Sequence, residues 1–360
     1  MSRAVILEEK SPAKGIDAIF QAFNNLETAI PKDGTVAVLF DFFVPEGTPS
    51  TVNPDTLGAL IQKIIQISAK KIYAIPISME KIDHIHGIRI LGLENYLKSY
   101  GVEILSLSLF NQALSNPMLS NLPSNENQPA ESMQQTSNAT PVAEAVPAPP
   151  ISRIDCVIIL TQLKSEPIWQ IYTPLRMLSQ TISADSLKYD QKNDYFPSLV
   201  QETLNNIKKY GSIYAIADAS YFLEGNGPLI QTNSKSLPIQ RFFAADDLLA
   251  IEWAICSHFK LSSESNKFLQ YAMKQGLIEK NGSNFEIITP KPLSNPENIS
   301  WAETDPHKIK IEGLDLHIGE INEPTSYSLL QVLYTLQGLL YKDARSEERR
   351  VGKECRFRWS

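Results

Sequence analysis

Three groups of residues have the type and spacing to do chemistry. The first is Gly225, Asn226 and Gly227, in the sequence EGNGP that closely follows the apolar run IYAIA and Asp218. Glycine reaches positive φ and lets backbone N–H groups approach a ligand with no Cβ in the way. Such a loop suits an anion at a strand end, although Gly, Asn and Pro also make plain turns. The second group is acidic: Asp246, Asp247 and Glu252 in AADDLLAIEWA, with Asp218 and Glu224 near in topology. Asp246 fits a helix N-cap. A converging carboxylate set would instead suit a hard cation, and Glu224 or Asp246 would serve as catalytic acid or base. The third is a pair of cations, Lys164 and Arg176, in LKSEPIWQIYTPLR after the strand-like IDCVIIL. Together they could clamp a carboxylate or phosphate; solvation at the surface is the plainer use of such residues.

Other candidates carry less. Asp83-His84-Ile85-His86 places two histidines two apart, where a helix turns them away from each other, and no third ligand is sensibly spaced. His258, His307 and His317 are isolated, so structural or surface roles are expected for the histidines, without zinc. Cys156, Cys256 and Cys355 are far apart, which excludes a disulfide framework and an iron–sulfur run of closely spaced thiols. Cys156 and Cys256 read as small core residues. Patterns of the GxSxG, Walker, HExxH and GxGxxG kinds are missing. The cofactor is therefore unspecified, and no iron–sulfur cluster is expected.

These residues must be held by elements that the hydrophobic pattern outlines. Residues 4–7 read as a first strand and 15–30 as a helix, with Ile16, Ile19, Phe20, Phe23 and Leu26 near a helical period. TVAVLFDFFV is a nearly unbroken apolar run, as in a sheet covered on both faces. Pro54 opens the next helix, where its missing N–H costs nothing, and KKIYAIPI follows as a strand. IDCVIIL and SIYAIAD are further buried-type strands, and 246–259 and 265–274 are helices. Alternation of this kind predicts an α/β fold: a mainly parallel sheet with helices on both faces. FEIIT and KIKIEG read as short strands of a smaller C-terminal α+β region, and 325–341 as an apolar helix.

Between these elements, 111–150 is rich in Asn, Gln, Ser, Pro and Ala. A segment so poor in large apolar residues cannot offset the entropy of ordering, so it is expected to be a disordered insertion. The expected organisation is one α/β domain from 1–110 and 151–277, with 278–342 packed on it. The tail 345–360 changes composition abruptly, with six basic and three acidic residues, and looks like translated sequencing-adapter read-through. Without it the charge of −7 becomes −10. That acidity argues against a nucleic-acid surface. No run reaches the roughly 18 apolar residues of a membrane span and no signal-peptide core opens the chain, so no membrane partner and a cytoplasmic location are expected.

Taken in order from about Val36 to Leu277, these segments resemble the domain of unknown function 362 family. IADASYFLEGNGPL and FFAADDLLAIEWA carry the resemblance most strongly. It implies that Lys164, Glu224, Gly225, Asn226, Gly227, Pro228 and Asp246 are retained site positions, with Glu252 in place of an aspartate. The departures are specific. Leu39 and Asp41 stand where the family has lysine and asparagine. Gln162 replaces a lysine, Ser165–Glu166 a threonine–histidine pair, and Arg176–Met177 a lysine–asparagine pair. Two functions follow. In one, Lys164 and Arg176 hold a small anionic metabolite while Gly225–Gly227 donate N–H groups and Glu224 or Asp246 acts on it. In the other, the site has decayed and the chain is a non-catalytic scaffold that binds a protein partner. Whether it is an enzyme is left open at this point.

Overall fold

The computed structural model describes residues 1–42, 47–77, 84–115, 154–166, 169–182, 195–225, 227, 234–294 and 298–302. In chain order the elements are β1 (Ser2–Glu8), α1 (Pro12–Ala22), α2 (Asn24–Ala29), β2 (Thr35–Asp41), α3 (Pro54–Gln66), β3 (Lys71–Ile77), α4 (His84–Ile90), α5 (Leu93–Ser99), β4 (Glu103–Ile104) and α6 (Leu107–Ser115). They continue with β5 (Cys156–Glu166), β6 (Gln170–Tyr172), α7 (Pro174–Ser179), α8 (Tyr195–Ile207), β7 (Ser212–Gly225), β8 (Ser234–Leu237), β9 (Arg241–Ala245), α9 (Leu248–His258), α10 (Lys267–Lys274) and β10 (Phe285–Ile288).

The described strands make one mixed sheet in the order β10-β1-β9-β7-β5-β2-β3-β4, with β6 added to β5 and β8 to β7. Along the main path β9 alone runs antiparallel to its neighbours. Strands buried on both faces explain the unbroken apolar runs. Val36, Val38 and Phe40 of β2 point into a core shared with α1 and α3, while Ala37 and Leu39 point into one shared with α7, α8 and α9. The α/β class is thus observed. β5, which follows the 111–150 segment, pairs directly with β2, which precedes it. One sheet therefore unites the two sides; residues 111–115, expected to begin the disordered insertion, instead continue α6, and the segment from 116 to 153 lies outside the described residues.

Local chemistry sets the helix that matters most. Asn53 caps α3, its side chain accepting from the Asp55 N–H at 3.0 Å, and Pro54 takes the first turn. Leu57, Leu60, Ile61 and Ile64 then form its buried stripe. On the same face α1 lies so close to β9 that a Cβ at Gly15 would stand 2.7 Å from the Phe242 ring.

FEIIT, expected as a short strand of the smaller C-terminal region, forms β10, which pairs in parallel with β1 at the edge of the main sheet. The C-terminal region is therefore continuous with the main body as far as residue 302. KIKIEG, the 325–341 helix and the 345–360 tail fall outside the described residues. Among the described residues no helix is long and apolar enough to cross a membrane.

The topology also singles out one place. From β2 the chain crosses through α3 to β3 on one side, and from β5 through α7 and α8 to β7 on the other. The two sets of helices lie on opposite faces, as right-handed crossovers leaving in opposite directions require. The boundary between β2 and β5 is thus the switch point, beyond whose carboxyl ends open α/β sheets bind ligands.

Candidate functional site

Buried polar side chains gather at this carboxyl edge. Asp41 is the last residue of β2, and β5 runs past it in regular register. On its other side the pairing of β5 with β7 shifts between Gln162 and Lys164, with the extra residues on β7, and such a bulge re-aims the residues of β7 beyond it. The Lys164 ammonium is fully buried; it donates to the Asp41 carboxylate and, at 2.8 Å, to the Ser50 carbonyl. It also lies 4.3 Å from the centre of the Tyr172 ring. The loop carrying Ser50 is tied down by the Val52 N–H donating to the Asp41 carbonyl at 2.9 Å. Burial pushes the Lys164 pKa down and Asp41 pulls it back up. Burial, helped by the Asp41 charge, holds the Tyr172 hydroxyl well above its ordinary range.

Arg176 stands in the first turn of α7, whose N-cap is Thr173. The residue is 4% exposed, and its guanidinium donates to one Glu166 oxygen through Nη2 at 3.0 Å and Nε at 3.3 Å. A third donor reaches the Ser179 hydroxyl at 3.1 Å. The other Glu166 oxygen accepts from the Trp169 N–H at 3.0 Å. Trp169 and Tyr172 flank the guanidinium, at 5.5 and 5.9 Å. Lys164 and Arg176 are therefore brought together astride Tyr172, as the clamp idea expected. They are not solvated, and each is matched by a carboxylate of the chain itself.

A third carboxylate fills the neighbouring position. Asp218 on β7 is buried at the N-terminus of α3, accepting from the Thr56 hydroxyl and from the Ser220 N–H at 2.6 Å. Burial raises its pKa against those bonds. Beside it Gln162 is fully buried and donates to the Asp218 and Tyr221 carbonyls at 3.0 and 2.6 Å.

The glycine loop is likewise engaged. Gly225 has φ +80, and its N–H donates to the Ser300 carbonyl at 2.6 Å. At Gly227 a Cβ would stand 2.1 Å from the Ser165 carbonyl oxygen. This glycine is needed for approach to the chain's own backbone. Asn226 and Pro228 lie outside the described residues. Glu224 accepts from the Ser300 N–H at 2.9 Å.

Glu224 and Asp246 do not share a site. Because β9 is antiparallel to β7, Ala245 pairs with Ala215, near the start of β7. Asp246 therefore sits at the amino edge, roughly 20 Å along the sheet from Glu224 at about 3.3 Å per residue counted along the neighbouring β5. There it accepts from the Arg3 N–H at 2.8 Å. It is not the N-cap of α9: Asp247 is, accepting from Leu249 and Ala250 N–H at 2.7 and 3.0 Å. The direction of one strand thus removes Asp246 from the edge that holds Lys164 and Arg176, and of the two expected acids Glu224 alone stands on that edge.

Glu252 is enclosed between helices, accepting from the Leu175 N–H at 3.0 Å and the Asn266 amide at 2.8 Å. Burial pushes its carboxyl up to about 7. Among the described residues no cluster of three or more His, Cys, Asp or Glu could hold a metal ion. His258 is packed against Phe243 and Phe259, and burial takes it down to about 4. Burial raises the Cys156 thiol to about 12 and Cys256 further still.

Sequence reasoning found both cations but missed Asp41 and Glu166 as their counterions, although both had stood out as acidic departures. It also missed 298–302, whose contacts with β7 have no local sequence signal. Comparison with protein-family models, with curated proteins and with solved structures returned no match for this chain.

Proposed function

We propose that this chain is a non-catalytic, partner-binding protein that keeps the architecture of a ligand-binding α/β fold but fills the ligand crevice with its own groups. One observation carries the reading: Lys164 and Arg176, the two cations an anionic ligand would need, are buried and bonded to Asp41 and Glu166. The resemblance to the domain of unknown function 362 family gives this a direction. Asp41 and Glu166 stand where that family has asparagine and histidine, so the two acidic replacements are the residues that neutralise the cations. The cytoplasmic setting expected from the sequence belongs to the same proposal.

The physical reason is competition within one molecule. A covalently attached carboxylate binds without the translational cost of a free ligand, at an effective concentration in the millimolar range. A small anion must displace it and leave a buried carboxylate without its counterion, which costs several kcal/mol.

Thermal denaturation against inorganic phosphate and malonate tests the proposal. At about 10 mM neither should raise the melting temperature of the native chain, since only a ligand favouring the folded state does so. In Asp41→Asn, Glu166→Gln and the double variant the freed cations should give saturable stabilisation. A second reading, a small anionic ligand held by Lys164 and Arg176, is favoured by their position at the switch point. Saturable stabilisation of the unsubstituted chain would establish that reading and refute the first.

A further inference from the structure

The described stretches 291–294 and 298–302 lie across the carboxyl edge like a strap. Lys291 pairs with Glu9, just beyond β1, at 3.3 Å. Ser294 donates from its N–H to Glu8 at 2.8 Å, and its carbonyl accepts from Arg241 of β9 at 3.0 Å. Over β7, Ser300 uses both main-chain groups: its N–H goes to Glu224 and its carbonyl takes the Gly225 N–H. Over β5, the Ala302 N–H donates to the Ser165 hydroxyl at 2.7 Å. Between them the Trp301 ring meets Phe222 and Phe259 edge-on, at 5.7 and 6.0 Å.

This is how proteins hold an extended peptide: main-chain bonds give the grip, and one side chain in an aromatic pocket gives the choice. Residues 298–302 form no helix or strand of their own. Two of the three groups receiving the main chain of 300–302 are side chains, Glu224 and Ser165, and the third is a strand-end N–H. These groups belong to β5 and β7 of the central sheet.

We propose that Ser165, Phe222, Glu224, Gly225 and Phe259 form a peptide-binding site that 298–302 occupies in cis. The partner it takes is a protein segment in extended form, with a large aromatic residue followed by a small one. The inference rests on the partner-binding reading and names the partner's chemistry.

The probe is a fluorescein-labelled synthetic peptide with the sequence of residues 297–303, followed by anisotropy. Against the full chain carrying Trp301→Ala it should bind at least about tenfold more tightly than against the unsubstituted chain, where the tethered segment competes. A peptide with Ala in place of Trp should lose that binding. Equal affinities, or no binding to a variant whose circular dichroism and melting show it folded, would overturn the proposal. Hydrogen exchange on the unsubstituted chain decides the matter should the variant unfold. The Gly225, Ser300 and Ala302 amides should exchange together by local opening, ahead of Ile158–Leu160 in β5; exchange as slow as in those residues would overturn it. No anion enters these measurements. Their failure would leave the self-filled crevice standing, and phosphate binding would refute that crevice without touching the peptide result.

Discussion

Replacing Lys164 by Met is the sharpest perturbation of the self-filled crevice. The ammonium is fully buried, bonded to Asp41 and the Ser50 carbonyl, and set over the Tyr172 ring. Lys164→Met leaves the Asp41 carboxylate buried without its counterion, and Asp41→Leu leaves the ammonium in the same position. Each single change should cost about 3–5 kcal/mol, the usual penalty for breaking a buried pair from one side. The double variant removes both charges. Apolar replacement of a whole buried pair is often neutral or better, and the orphaned Ser50 carbonyl adds about 1–3 kcal/mol of desolvation. The pair of changes together should thus cost less than either alone, with a coupling energy of at least about 3 kcal/mol. Urea unfolding of the four proteins at neutral pH, read by circular dichroism, gives the cycle. Additive losses, or a Lys164→Met variant within about 1 kcal/mol of the parent, would refute the claim that the two charges are each other's partner in a dry site.

Two further perturbations follow from the same structure. Glu252 is raised to about 7 in the folded chain against about 4.3 unfolded, so the folded state holds the extra proton between those values. Its contribution is greatest below the lower value and falls by about 4 kcal/mol as pH rises from the lower value through the upper one. Glu252→Gln should flatten that decline in urea titrations between about pH 5 and 8, and an unchanged slope would contradict the assignment. Gly227→Ala drives a Cβ into the Ser165 carbonyl and should cost about 1–3 kcal/mol by overpacking. A variant with an unshifted urea midpoint would show that the loop does not rest on β5.

Much of the architecture was legible because burial on both faces writes unbroken apolar runs into β2, β5 and β7. The positions of Lys164 and Arg176 were legible as well, since both follow the end of such a run. Strand direction was not: RFFAA reads the same whether β9 runs parallel or antiparallel, and that ambiguity misplaced Asp246 by the length of a strand. Pairing across long separations was equally hidden. Asp41 and Lys164 are joined only by the register of β2 on β5, and Glu166 meets Arg176 only because β6 folds back on β5. One usable signal was present: acidic residues had replaced neutral ones next to two cations that were kept. Read as compensation rather than loss, that pattern points to internal ion pairs.

The central claim is that the cations at the switch point are closed off by the chain's own carboxylates. Competitive acetylation of the native chain, with each lysine quantified by mass spectrometry, tests it most directly. Lys164 has no exposed surface while the Lys98 side chain is 61% exposed. An opening free energy of about 3 kcal/mol makes Lys164 react at least about a hundredfold more slowly than Lys98. Acetylation of Lys164 at a rate comparable to that of Lys98, in protein that stays folded, would contradict the account.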